Sequence, residues 1–316
     1  GRTFLVITAQ LAESAGEDFA ILLYEAADNQ LDRWTFRNIL LRKPGYELSF
    51  PECPNFIQLG DQWVLLTSPY KPVEYHAGTF NLSNYTFNPR THGRLDMGID
   101  YYATNVARAP DGRVILFAWI RGFRKGRGWN GCLALPRELL LDGDGHLVSR
   151  PVAEVNALRS TLVQSREDET ITETEIVVTS EESLDCAEVA CTLSLGDASA
   201  VELRLLGTED GKNGVSITYD GHTVDVHGTK VSCSDQKGGQ TVSIRAFVDK
   251  TVLEVFVNGG QGSATKVVYP SERGGTVSVT AHGGEAQLHE LEAWTMNPAE
   301  ITPKLGLDVG IPQPGA

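Results

Sequence analysis

Short apolar runs bounded by Gly, Pro, Asn or Asp recur along this chain: Phe4 to Ile7, Phe19 to Tyr24, Phe56 to Leu59, Trp63 to Thr67, Val114 to Ile120 and Leu133 to Leu135. Runs of about four to eight residues between turn formers are strand-sized. No comparable run sustains a 3.6-residue apolar period with caps. Turn sequences such as Pro110-Asp111-Gly112-Arg113 and Asp142-Gly143-Asp144-Gly145-His146 are suited to tie neighbouring strands. The expectation is an all-β fold.

Around Leu158 to Gln164 the texture changes, and charge becomes dense through Arg166-Glu167-Asp168-Glu169-Thr170. A domain boundary is placed here, dividing the chain into residues 1–159 and 160–316. Beyond it the alternation is clean, as in Val201-Glu202-Leu203-Arg204-Leu205 and Val215-Ser216-Ile217-Thr218-Tyr219. Such strands bury one face and wet the other, which favours a two-sheet sandwich.

With 41 acidic against 27 basic residues and a net charge of -14, the chain repels phosphate backbones and anionic lipid heads. Nucleic acid and membrane surfaces are therefore poor partners, whereas a neutral sugar meets no such barrier. No stretch approaches the roughly 20 apolar residues of a membrane helix, and Gly1 to Ile7 reads as a strand rather than an export signal. Cys53, Cys132, Cys186, Cys191 and Cys233 lack the spacing of a zinc site, though one disulfide within the last three is open in a secreted protein. Asn81-Leu82-Ser83 and Asn84-Tyr85-Thr86 match the acceptor pattern for N-linked glycan. No motif suggests a redox cofactor, a phosphate-binding loop or a metal cluster.

The least ordinary local feature is Phe50-Pro51-Glu52-Cys53-Pro54-Asn55-Phe56, an acid set between prolines and apolar residues ahead of a strand. Partial burial would favour the protonated carboxyl, as a general acid requires. By itself the segment reads more readily as a loop acid facing water.

Glu52-Cys53-Pro54 resembles the Glu-Cys-Pro signature of glycoside hydrolase family 32, the invertases, inulinases, levanases and sucrose-phosphate hydrolases. The likeness continues in order. Asp96-Met97-Gly98-Ile99-Asp100-Tyr101-Tyr102-Ala103 is similar to the family's Asp-Tyr-Gly-x-Asp-Phe-Tyr-Ala. Asp111 to Trp119, Gly128-Trp129-Asn130-Gly131, Leu135-Pro136-Arg137-Glu138-Leu139 and Pro151 to Arg159 follow, and Phe247 to Gly260 resembles the family's sandwich signature.

The resemblance implies a five-bladed β-propeller followed by a β-sandwich. At about 40 to 50 residues per blade the first 159 residues hold roughly three to four blades, so only part of a propeller is expected. It implies hydrolysis of β-fructofuranosidic bonds in sucrose or fructans with retention, by two carboxyls about 5 to 5.5 Å apart and without a cofactor. Glu52 takes the acid/base role, and Asp96 and Trp119 match family residues expected to bind substrate; Asp100 and Tyr102 carry hydrogen-bonding groups expected to line the sugar pocket, the alternative being that the Asp bonds its own turn. Asp96 matches an acid that in some plant members is followed three positions on by Lys, where this chain has Ile99. Trp129 and Arg137 are expected to hold blades together, Glu254 to lie on the outer face of a sandwich strand in a structural or domain-interface role, and Trp294-Thr295-Met296-Asn297-Pro298 to be structural.

The family's nucleophile motif, Trp-Met-Asn-Asp-Pro-Asn, and its stabiliser motif, Arg-Asp-Pro, do not occur in these 316 residues. A preceding segment or a companion chain is expected to supply them. The alternative is a non-catalytic sucrose- or fructan-binding protein on the same scaffold. The family likeness favours an extracellular or vacuolar location over the cytoplasm.

Overall fold

The computed structural model describes residues 2–11, 18–43, 50–126, 128–174, 176–178, 183–208, 213–233, 241–270 and 275–300. Its regular structure is antiparallel β, in five sheets. The first sheet contains β1 (Phe4–Gln10), β2 (Phe19–Ala26) and β3 (Trp34–Lys43). The second is a four-stranded meander of β4 (Glu52–Leu59), β5 (Gln62–Ser68), β6 (Glu74–Asn81) and β7 (Thr86–Arg94).

The third contains β8 (Tyr101–Arg108), β9 (Val114–Ile120), β10 (Cys132–Leu133), β11 (Arg137–Leu141) and β12 (Leu147–Pro151). β10 and β11 follow one another along the same side of β9, so this sheet is also four strands deep. The alternation that announced these strands is the one that buries them: Val114, Leu116, Ala118 and Ile120 of β9 all point into the core. The turn before β9 closes as its residues require, with Arg113 N donating to Asp111 Oδ1 at 3.0 Å and Gly112 at φ 92°.

β1, β4 and β8 open their respective sheets and lie side by side. Apolar clusters fill the gaps between sheets. Ile21, Leu23 and Leu40 pack on Leu65 and Phe87 between the first and second, and Val64, Leu66 and Tyr75 pack on Leu116 and Leu139 between the second and third. Three such sheets make an open part of a propeller. Among the described residues β1 pairs only with β2, and its Leu5 and Ile7 side chains are exposed.

A 3-10 turn at Ala153–Leu158 leads into β13 (Arg159–Ile171). The charge-dense segment forms a long edge strand, whose exposed acids discourage further pairing. Its sheet runs β13, β24 (Ala286–Met296), β15 (Cys186–Ser194), β20 (Thr241–Asp249), β21 (Val252–Val257) and β22 (Gly262–Val267). The facing sheet runs β14 (Ile176–Val178), β23 (Thr276–His282), β16 (Ala200–Gly207), β17 (Val215–Tyr219), β18 (Thr223–Val226) and β19 (Thr229–Ser232).

One apolar core lies between these two sheets. It includes Cys191 and Cys233, and all five cysteines are free thiols, so the open disulfide is not formed. Trp294, expected to be structural, is buried in β24 with the Arg159 guanidinium 3.6 Å from its ring. A separate cluster of Val152, Val155, Phe247 and Phe256 seals the sandwich against the third propeller sheet.

Candidate active site

Glu52 opens β4 and Tyr102 lies at the start of β8. Directly after each, the strand bulges: the register slips between Glu52 and Asn55 in β4, and between Tyr102 and Asn105 in β8. Cys53 and Ala103, the residues that follow, sit in the left-handed region at φ 50° and 51°. A bulge re-aims the side chain next to it. Used alike in adjacent sheets, it turns Glu52 and Tyr102 toward each other.

The Tyr102 hydroxyl donates to Glu52 Oε2 at 2.6 Å and also lies 3.0 Å from the Ser68 carbonyl oxygen. It has one proton for two acceptors, so it can turn to Ser68 when Glu52 carries a proton of its own. Burial first, and then the bond to Glu52, push this phenol well above the ordinary tyrosine range, so it stays protonated. The Tyr70 hydroxyl donates to Glu52 Oε1 at 3.1 Å, and the two phenol rings stand 5.0 Å apart. Both oxygens of a half-buried carboxyl are thus oriented by hydroxyl groups.

Trp119 pairs with Tyr102 across the strands, with ring centroids 6.4 Å apart in an edge-to-face arrangement. Its indole donates to the Asn130 carbonyl oxygen at 3.2 Å, and a Cβ on Gly131 would lie 1.7 Å from the indole nitrogen. Gly131 is therefore what lets the Gly128-Trp129-Asn130-Gly131 segment close on Trp119. The Arg121 guanidinium covers the Tyr102 ring at 4.0 Å and stands 5.3 Å from that of Tyr70. Beside Glu52, burial and the carboxylate's charge push the Cys53 thiol up, so it is not poised as a nucleophile.

Of the residues expected from sequence, the structure joins Glu52, Tyr102 and Trp119. It adds Tyr70 and Arg121, which no motif marked. Arg121 stands two positions beyond Trp119, a proximity that could have flagged it, while Tyr70 gave no signal.

Asp96 is corrected, and Asp100 is bonded to the sandwich. Asp96 is fully enclosed, and its oxygens accept from Gly98 N, Thr265 N, Thr265 Oγ1, Ser263 Oγ and Arg137 Nη1, so no substrate reaches it. Asp100 Oδ2 accepts from Val267 N at 2.9 Å, and its Oδ1 lies where a Cβ on Gly122 would sit. Its carboxyl is thus occupied at the seam with the sandwich, and burial raises its pKa.

Arg137 and Glu254 meet at the seam between propeller and sandwich. Arg137 of the third sheet binds both the segment between the second and third sheets and the sandwich: Nη1 reaches Asp96 at 2.9 Å and Nη2 reaches Glu254 at 2.8 Å, all buried. Tyr101 and Phe256 cover the two sides of its guanidinium at 4.1 and 4.6 Å. Glu254 faces out of the sandwich core, as alternation implies, into this interface, and burial raises its pKa even against Arg137. Trp129 is exposed and packs on Phe123 at 4.6 Å. The asparagines of both glycan acceptor patterns are exposed, Asn81 at the end of β6 and Asn84 in the turn before β7.

An acid held by phenols on the lead strand of a propeller sheet, with an indole beside it and a β-sandwich behind, places the molecule among the propeller-and-sandwich glycoside hydrolases. The chain belongs to glycosyl hydrolases family 32, matching the model of that family's N-terminal domain over residues 2–151 and of its C-terminal domain over residues 154–295. It is similar to sucrose-6-phosphate hydrolase of Escherichia coli, with 28% identity across 90% of this chain and 63% of that protein. It is likewise similar to raffinose invertase of Escherichia coli, at 28% identity across 94% of this chain and 65% of that protein. The chain thus spans under two thirds of the length of these relatives. In fold it is similar to fructan 1-exohydrolase IIa from Cichorium intybus, with a TM-score of 0.79 at 17% identity over 95% of this chain and 70% of that one. The β-fructofuranosidase of Bombyx mori gives 0.75 at 23% identity over 94% and 64%.

Proposed function

We propose that this chain carries the acid/base half of a retaining fructoside hydrolase acting on sucrose, a fructan or a phosphorylated sucrose. The observation that carries this is Glu52, aimed by a bulge and held through both oxygens by Tyr70 and Tyr102 beside an indole that suits the apolar face of a sugar.

In the first step Glu52 gives its proton to the leaving glycosidic oxygen while a second carboxylate bonds to the fructosyl carbon. In the second, the ionised Glu52 takes a proton from water, whose oxygen displaces that carboxylate. Tyr102 serves both states of Glu52, because its proton can turn to Ser68 or to the carboxylate.

The attacking carboxylate belongs to motifs absent from this sequence, so a further polypeptide segment completes the site. The unpaired edge of β1, with Leu5 and Ile7 exposed, is a suitable seat for it. The division between propeller and sandwich at about residue 159, and a location outside the cytoplasm, belong to the same proposal.

Fructose release from sucrose, inulin and sucrose 6-phosphate is the test, using this chain, the intact natural polypeptide and Glu52→Gln in each. Release by the intact polypeptide that Glu52→Gln abolishes supports the hydrolase. Sugar binding without release in any form, unchanged by Glu52→Gln, would instead identify a binding protein.

A further inference from the structure

The segment between β7 and β8 is held by the sandwich more than by its own blade. Met97 N donates to the Ser263 carbonyl oxygen at 2.8 Å, and Ser263 Oγ donates toward Leu95 O at 3.1 Å and Asp96 Oδ2 at 3.0 Å. Thr265 donates twice to Asp96, from N at 2.9 Å and from Oγ1 at 2.8 Å, and Val267 N donates to Asp100 Oδ2 at 2.9 Å. All three donors along β22, Ser263, Thr265 and Val267, are alternate residues on one side of that strand. A Cβ on Gly98 would lie 1.9 Å from the Thr265 carbonyl oxygen, so the contact is backbone to backbone and closes only on glycine.

Asp100 is two residues from Tyr102, a span of about 7 Å along a strand. It also fixes the far side of the same ring. Asp100 O accepts from Arg121 N at 2.9 Å and Ile99 O from Arg121 Nε at 3.1 Å, which sets the guanidinium over Tyr102. A single anchored segment therefore decides both where Tyr102 stands and what covers it. Tyr102, in turn, orients Glu52 at 2.6 Å.

We propose that Asp96, Asp100 and Thr265 are positioning residues, through which sandwich strand β22 sets the Tyr102 hydroxyl on Glu52. The sandwich is then part of the machinery that orients the acid, not only a support for the propeller. The consequence for catalysis rests on Glu52 being the acid/base; the positioning of Tyr102 does not.

The experiment labels tyrosine Cζ with 13C in this chain and assigns the Tyr102 resonance by its absence in Tyr102→Phe. The Cζ shift reports the hydrogen bonding of the hydroxyl. Asp100→Ala and Thr265→Val are expected to move it, while Asp100→Asn and Thr265→Ser, which keep an acceptor or a hydroxyl, return it toward the wild-type position. Thr265→Val preserves volume, so it remains informative where Asp100→Ala does not fold. A Tyr102 resonance unmoved in a folded Thr265→Val or Asp100→Ala sample overturns the proposal.

Hydrolysis of sucrose by the intact polypeptide is the second arm. Asp100→Ala should lower kcat by about tenfold with little change in KM, and add no further loss in a Tyr102→Phe background. A moved resonance without any fructoside hydrolysis in the wild type leaves the positioning standing and removes the acid/base assignment. Additive losses in the two backgrounds would show that Asp100 acts other than through Tyr102.

Discussion

Cys53 in β4 and Ala103 in β8 occupy the same left-handed conformation, at φ 50° and 51°, each one residue past the side chain it aims. Neither is the glycine or asparagine that usually accepts this geometry. Holding an L-residue there costs about 1–2 kcal/mol, which the surrounding sheets must offset. Adjacent blades thus use one device twice, and its product is the 2.6 Å contact between Tyr102 and Glu52.

Ala103 is the easier position to test, since it carries no polar group. Ala103→Val places a β-branched side chain at a φ it strongly disfavours and should destabilise the chain by about 1–3 kcal/mol. Ala103→Gly should leave stability near its starting value, because relief of strain opposes the added freedom of the unfolded chain. Denaturant unfolding of both variants checks this. Equal stability for Val and Gly would mean that the bulge is not held as described.

Removing the charge of Arg137 should be far more damaging than removing an exposed one. Arg137→Met keeps much of the side-chain volume but strands the carboxylates of Asp96 and Glu254 in the seam between propeller and sandwich. Breaking a buried pair from one side typically costs about 3–5 kcal/mol. Arg113→Met, which loses its bonds to the exposed Asp111 and Glu154, should scarcely move the melting temperature. Neutralising the partners in the triple variant Arg137→Met, Asp96→Asn, Glu254→Gln should recover part of the loss, and failure to recover any would argue that packing rather than charge makes Arg137 matter.

How much of this was legible in the sequence follows from what each feature depends on. The strands were legible, because alternation in segments such as Val114 to Ile120 is a local property. Glu52 and Trp119 carried motif signals, and Tyr102 came with its motif neighbours. Asp96 and Asp100 were placed on the substrate because an acid in a loop gives no indication of what will cover it. Their partners, Arg137, Ser263, Thr265 and Val267, lie between 41 and 169 residues away in the chain. Alternation puts Glu254 on the outer face of β21, but local sequence does not show that the propeller covers that face. Tyr70 was invisible for a similar reason, since only the fold brings it to Glu52.

His76 makes a pH prediction with a definite sign. Burial, and then the charge of Lys43, lower its pKa to about 4 from the ordinary 6.5, with Glu74 opposing and His92 adding to the shift. Its Nδ1 has no hydrogen-bond partner and its ring stacks on His92 at 6.0 Å. Above pH 6.5 the ring is neutral whether folded or not. As pH falls from 6.5 toward 4 only the unfolded chain takes up the proton, so stability is lost across that window by up to about 3 kcal/mol. Glu25, whose pKa the Arg2 hydrogen bond lowers to about 2, adds a separate loss between pH 4.5 and 2. Unfolding of His76→Gln across pH 7 to 4 should show a flatter dependence than wild type, and an unchanged slope would assign the acid sensitivity elsewhere.

The loop after Trp119 makes the sharpest prediction about substrate. Arg121, Arg124 and Lys125 stand in a chain of 41 acidic and 27 basic residues, yet none makes an ion pair with a carboxylate of the described residues. Arg121 spends its Nε on the Ile99 carbonyl oxygen and lies over Tyr102, leaving its outer nitrogens at the edge of the proposed site. A phosphate on the leaving sugar would find a charge-assisted fork there. Sucrose 6-phosphate should therefore exceed sucrose in kcat/KM for the intact polypeptide, with an advantage that shrinks as salt is raised. Arg121→Met should reduce that advantage by about 10- to 100-fold, the worth of one hydrogen bond to a charged group. Arg121→Lys should retain part of it, since a point charge survives without the planar fork. The control is sucrose itself. If Arg121→Met slows both substrates equally, Arg121 acts through the Tyr102 ring that it covers, and the phosphate has no receptor in this loop.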